Sequence, residues 1–89
     1  MSTPIILPDL GTGPVRLSVW FADIGDLVYE GDRLVEVLVK GATFDVPAPT
    51  TGHLVETTLL PNDVVGPGQV LGFVDQLTAD DERSTQTIG

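Results

Sequence analysis

From Val15 to Phe21 apolar side chains fall on every second position, at Val15, Leu17, Val19 and Phe21. That is the period of a strand with one buried face, not of a helix. The alternation returns in Leu34–Pro47, LVEVLVKGATFDVP. Short runs of Val, Leu, Ile and Phe are separated throughout by the chain's ten glycines and seven prolines, so few windows before residue 73 could hold an ordinary helix. Many short strands with turn signals between them predict an all-β sandwich or barrel. The polar TADDERSTQTIG end has no apolar periodicity. Residues 1–76 are therefore expected to form one domain, with 77–89 a flexible polar tail or linker stub.

The chain also repeats itself. A shift of 37 residues lays Gly25–Val37 over Asn62–Val74 without a gap. Identities fall at Asp26/Asp63, Val28/Val65, Gly31/Gly68, Leu34/Leu71 and Val37/Val74, and Leu17/Leu54 extends the register upstream. Each copy reads as strand, turn, short strand, turn, strand. One copy is too short to bury its own apolar face, so two should pack together about a pseudo-twofold axis.

The second alternating stretch predicts a hairpin. With Lys40-Gly41 at its tip, Val39 faces Ala42, Val37 faces Phe44 and Val35 faces Val46, which places all six on one face. A slip of one residue would scatter them over both faces. Gly41 supplies the positive φ that a two-residue hairpin turn needs. Glu36 then faces Asp45 on the outer side. Lys40, the sole lysine of the chain, stands at the apex.

Charge and composition narrow the field. With 13 acidic residues against 4 basic ones the net charge is −9. Neither nucleic acid nor an anionic membrane surface fits that balance. There is no cysteine, which removes disulfides, thiol catalysis and cysteine-zinc sites. No apolar run nears the length of a membrane span and no signal-peptide pattern opens the chain, so a monomeric, cytoplasmic domain is expected. Elsewhere the candidate chemistry is thin. His53 reads as incidental, and Asp80-Asp81-Glu82 as a solvated cluster. Trp20 and Phe21 are adjacent on a strand, so one faces the core and the other solvent. No nucleophile–base pair or metal constellation can be assembled, and an independent enzyme is not expected.

Several segments together resemble the lipoyl domain of 2-oxo acid dehydrogenase acyltransferases, within the biotinyl/lipoyl carrier superfamily. They are Leu7-Pro8-Asp9-Leu10-Gly11-Thr12-Gly13, Trp20 before Gly25-Asp26, Val28, and Gly31-Asp32 before Leu34-Val35-Glu36-Val37. Val46-Pro47-Ala48-Pro49 before Gly52, and Asn62-Asp63-Val64-Val65 with Gly68 and Leu71, complete the pattern. The resemblance spans roughly residues 5–75 and implies a flattened barrel of two antiparallel sheets with quasi-twofold symmetry, a barrel-sandwich hybrid. It implies a non-catalytic carrier with covalent lipoate on a hairpin lysine. Its expected partners are a lipoate ligase and the dehydrogenase and acyltransferase components of a 2-oxo acid complex. The loop Gly11-Thr12-Gly13 should lie beside the tip and, with Gly41, take part in partner recognition.

One departure is informative. The family's tip reads Asp-Lys-Ala with the modified lysine second, whereas here Lys40 takes the aspartate slot and Gly41 the lysine slot. Lys40 is thus the candidate attachment residue, one position early. Two readings follow: a lipoyl carrier modified at Lys40, or an unmodified lipoyl-like interaction module. Biotin domains keep Met on both sides of the lysine, and Val39 and Gly41 flank Lys40, which makes biotin carriage the lesser alternative.

Overall fold

A computed structural model describes residues 1–11 and 13–77. Among the described residues eight strands follow one another: β1 (Ser2–Ile6), β2 (Val15–Trp20), β3 (Leu27–Val28), β4 (Arg33–Val39), β5 (Ala42–Pro47), β6 (Gly52–Thr57), β7 (Val64–Val65) and β8 (Val70–Gln76). They form two four-stranded antiparallel sheets, β1-β8-β6-β3 and β5-β4-β2-β7. The expected all-β barrel of two sheets is what forms. Of the span expected as a tail, Leu77 is half-buried and its N–H donates to the Thr51 carbonyl at 3.1 Å. Residues 78–89, and with them Asp80-Asp81-Glu82, lie outside the described residues.

The 37-residue repeat is the architecture. Adding 37 carries β2 onto β6, β3 onto β7 and β4 onto β8, and the strand order of one sheet becomes that of the other. Each sheet takes two strands from β1–β4 and two from β5–β8, so neither half owns a sheet.

Backbone hydrogen bonds repeat pair by pair. Leu17 donates to Asp63 O at 2.9 Å and accepts from Asn62 N–H at 2.8 Å; Leu54 donates to Asp26 O at 3.0 Å and accepts from Gly25 N–H at 2.7 Å. The strand of one half is thereby gripped by the turn of the other. Both turns are held by the shared aspartate: Asp26 accepts from Asp23 N–H, and Asp63 from Leu60 N–H, each at 2.8 Å.

The six repeated identities divide by task. Leu17/Leu54, Leu34/Leu71, Val37/Val74 and Val28/Val65 are buried, and with Ile5, Leu7, Val15, Val35, Val39, Val46 and Ala48 they make the core between the sheets. Asp26/Asp63 and Gly31/Gly68 shape turns, both glycines at positive φ. Gly25 at φ 99° is matched by Asn62 at φ 76°, asparagine being the next most tolerant residue there.

Strict alternation does not survive along β2. The pairing with β4 slips between Leu17 and Val19, and the extra residue, Ser18, reverses the phase. Val15 and Leu17 face the core, but Val19 and Phe21 turn outward and Trp20 packs inward. Trp20 Nε1 donates to Leu59 O at 3.0 Å, satisfying its one polar group. β6 carries the equivalent slip between Leu54 and Glu56. Outside the barrel the Arg33 guanidinium lies 4.6 Å from the centre of the Phe21 ring, a cation–π contact on an exposed face.

Inside the barrel the symmetry is broken by exchange of volume. Trp20 and Gly72 stand where the other half has Thr57 and Val35. A Cβ on Gly72 would collide with the Glu56 carbonyl oxygen and come within 3.2 Å of Trp20 Cη2. The large indole is accommodated because its neighbour has no side chain.

Two outcomes are expected in urea denaturation. Leu17→Ala and Leu54→Ala should each lose about 2–5 kcal/mol, as buried leucines do. Because they are symmetry mates in matched surroundings, the two losses should agree within about 1 kcal/mol. Gly72→Ala should lose about 1–3 kcal/mol by overpacking, and Trp20 fluorescence should shift with it.

Candidate functional site

The β4–β5 hairpin forms in the expected register: Val35↔Val46, Glu36↔Asp45, Val37↔Phe44, Leu38↔Thr43 and Val39↔Ala42. Burial fades toward the tip on the β5 side. Val35, Val37 and Val39 are core residues, while Ala42 and Phe44 are exposed because β5 is a sheet edge. The face is shared, but of its β5 residues only Val46, the farthest from the tip, is covered.

Lys40 has φ 51° and Gly41 φ 79°. Positive φ at both central residues of a two-residue loop defines a type I′ turn, whose twist matches that of the flanking strands. Glycine meets this demand freely and lysine does not; a side chain in the left-handed region costs of order 1 kcal/mol. Asn or Asp in place of Lys40 would suit the turn better.

The tip stands directly on the core. Val39 pairs with Val15, which pairs on its other side with Val65, and all three are buried. Lys40, one residue further, is exposed. This is a post one residue tall on a buried base. The start of β1 and the close of β8 lie at the opposite end of the barrel, where Ser2 pairs with Asp75 and Gly52 with Gln76.

Beside the post runs the loop joining β1 to β2. Asp9 accepts from Gly11 N–H at 3.0 Å, closing its first turn. Gly11 and Gly13 have φ 96° and 108°. A Cβ on Gly11 would meet nothing within 4 Å, whereas one on Gly13 would lie 2.9 Å from Lys40 Cε, 3.6 Å from Cγ and 3.8 Å from Cδ. The lysine stem therefore crosses the bare Cα of Gly13. The structure brings Lys40, Gly41 and Gly13 together, with Gly11 open at the loop's outer side; Thr12 lies outside the described residues.

The other sequence candidates stay apart from this end. His53 is exposed on β6, opposite Leu27 and Asp75. Among the described residues no group of three His, Asp or Glu side chains could hold a metal ion, and no helix is long and apolar enough to cross a membrane. Sequence reasoning missed the seat at Gly13. Its only sequence signal is a second glycine two residues after Gly11, which does not say what the missing side chain would have touched.

A barrel of two interlocked sheets with a lysine at a hairpin tip is the architecture of a covalent-cofactor carrier domain. A family model described as "biotin-requiring enzyme", covering biotin and lipoyl attachment, matches residues 3–74, and the chain belongs to this family. Among its relatives, a lipoamide acyltransferase component of the branched-chain alpha-keto acid dehydrogenase complex of Pseudomonas putida is 32% identical over 80% of this chain. A dihydrolipoyllysine-residue succinyltransferase component of the 2-oxoglutarate dehydrogenase complex of Bartonella vinsonii is 34% identical over 84%. The chain spans less than a fifth of either relative, 18% and 19%. The lipoyl domain of the 2-oxoglutarate dehydrogenase complex from Azotobacter vinelandii superposes with a TM-score of 0.68 at 20% identity, covering 82% of this chain and 95% of that one. A single-chain, multi-domain long-chain acyl-CoA carboxylase gives the same TM-score and identity, covering 96% of this chain and 8% of that one. These two structures share the fold.

If the lysine sits in the turn at a cost, its removal should stabilise the domain. Lys40→Asn is expected to raise stability by roughly 0.5–1 kcal/mol, seen as a higher urea midpoint at unchanged slope.

Proposed function

We propose that this chain is a lipoyl carrier domain whose attachment residue is Lys40. The observation that carries the reading is the placement of the sole lysine: at the apex of a type I′ hairpin, seated on the core and remote from the start of β1 and the close of β8. The surroundings fit a covalent group. The amine is the single lysine amine of the chain, and on its other side Gly41 presents no side chain to obstruct an arm.

Attachment needs little of this chain. The Lys40 Nζ, once deprotonated, displaces the activating group from a lipoate carboxyl that a ligase has activated at the expense of a nucleoside triphosphate, and an amide forms. A lipoyl group, when attached, supplies the disulfide–dithiol and acyl-carrying chemistry. The protein's own contribution is mechanical. Val15, Val39 and Val65 fix the base of the post, and the type I′ turn fixes its apex. Tethering raises the local concentration of the arm at whatever active sites the domain visits. By the names of its relatives, those sites belong to the dehydrogenase and acyltransferase components of a 2-oxo acid dehydrogenase complex.

The second reading, an unmodified interaction module, rests on the register of the tip, where Gly41 holds the position that the family gives to lysine. One experiment separates the two. Incubation with lipoate ligase, lipoate and ATP should add one lipoyl group by intact mass, and Lys40→Arg should add none. Biotin ligase with biotin should add nothing to either. Failure of the native chain under conditions that modify a known lipoyl domain would overturn the carrier reading. Modification of a Lys40→Asp, Gly41→Lys double variant alone would then identify the register as the obstacle and establish the module.

A further inference from the structure

A lysine one position early in the turn projects from a different point of the apex than the family's lysine does. The side chain of Lys40 does not simply extend from that point into solvent. From Cγ to Cε its stem lies against the Cα of Gly13, in space that any L-amino acid at position 13 would fill. Gly13 is also at φ 108°, a conformation that other residues rarely adopt. The contrast with Gly11 is informative, since Gly11 has a similar φ of 96° and open space where a Cβ would be. Positive φ is required in both places, but only at position 13 does the missing side chain make room for another group.

We propose that Gly13 is the positioning residue for Lys40: its bare backbone is a seat that takes the lysine stem and sets the direction in which the ε-amine is presented. The seat replaces, by a contact from the neighbouring loop, the orientation that the second tip position would otherwise have imposed. A stem with four rotatable bonds is narrowed to the orientations compatible with the seat, and a ligase site receives the amine at a defined point. Gly13 touches no cofactor and takes no part in bond formation. This inference rests on Lys40 being the residue modified, and its test is arranged to fail separately from that reading.

The geometric arm needs no ligase. In the unmodified protein, nuclear Overhauser contacts should connect Gly13 Hα with the γ and ε methylene protons of Lys40, and the two ε protons should be inequivalent. In Gly13→Ala the ε protons should merge into one averaged signal and no Overhauser contact should join residue 13 to the lysine ε-methylene. Gly25→Ala carries matched backbone strain, with φ 99° and nothing within 4 Å, and should retain both signatures. Absence of the contacts in the native chain would overturn the proposal.

The functional arm compares initial rates of lipoyl addition with rates of acetylation by acetic anhydride. Gly13→Ala should slow the ligase by about tenfold, the scale of effect that a misplaced reacting group produces. Gly25→Ala should stay within about twofold of the native rate, and acetylation of Lys40 within about twofold in both variants, because the amine's chemistry is unaltered. Equal ligase rates for Gly13→Ala and Gly25→Ala would overturn the positioning role. If the native chain accepts no lipoyl group at all, the carrier reading falls, and the Overhauser contacts still decide whether the seat exists.

Discussion

Everything in this domain depends on two backbone clamps: Leu17 held between Asn62 and Asp63, and Leu54 held between Gly25 and Asp26. Each clamp ties a strand of one half to a turn of the other. Because both sheets draw strands from both halves, breaking one clamp opens both sheets together. The long-range character of these bonds, 46 residues apart for Leu17–Asp63, means that loop closure must precede most of the stabilising contacts. The return is a small barrel in which four pairs of buried leucines and valines match across the repeat. An 89-residue chain has few other ways to make a stiff support without disulfides.

A symmetric scaffold still has to yield an asymmetric site. The pseudo-twofold relates the tip of the β4–β5 hairpin to the region just after β8, since a shift of 37 carries Lys40 to Leu77. Where one half makes a closed turn, the other has Met1 and Leu77, with β1 and β8 paired beside each other. The symmetry operation that builds the core therefore puts the post at one end and the start of β1 and the close of β8 at the other. For a carrier this is a useful consequence, because the chain enters β1 and leaves β8 away from the lysine. The same asymmetry appears within the core as the Trp20–Gly72 exchange, where one half gives up a side chain so that the other can fill the middle.

Much of this was legible because period and repeat are strong signals. The alternation in Leu34–Pro47 allowed one coherent register, and that is the register formed; the 37-residue overlay named four buried pairs and two turn pairs by identity alone. What alternation could not show was where it would be interrupted. Ser18 reverses the phase of β2 through a bulge, which carries no distinctive residue type, so Val19 and Phe21 face outward where an unbroken strand would bury them. The site was half legible in the same way. A lysine at a tip is a local fact of strand pairing, whereas the approach of Gly13 to that lysine joins two loops 27 residues apart and leaves no trace in either. Glycine is informative about its own backbone and silent about its neighbours.

Lys40 also shows what the turn gives up. A type I′ apex of Lys-Gly is less stable than Asn-Gly would be, and the strand pairing alone has no use for a cation there. In the family arrangement the aspartate occupies the first tip position, which it tolerates well, and the lysine takes the second. Here glycine has taken the second position, relieving the backbone at one site, and the lysine has taken the first, bearing the strain at the other. The total demand of the turn is unchanged; what changes is the direction of the amine. A loop that passes beside the tip with no side chain at Gly13 is the feature that makes this rearranged apex compatible with a defined amine position. Tip register and loop glycine are in this sense one device, and the effect of altering either depends on the state of the other. The Lys40→Asp, Gly41→Lys double variant should therefore be insensitive to Gly13→Ala: in it the lysine no longer reaches the seat, and its rate of lipoyl addition should change by less than about twofold on adding the alanine, against about tenfold in the native register.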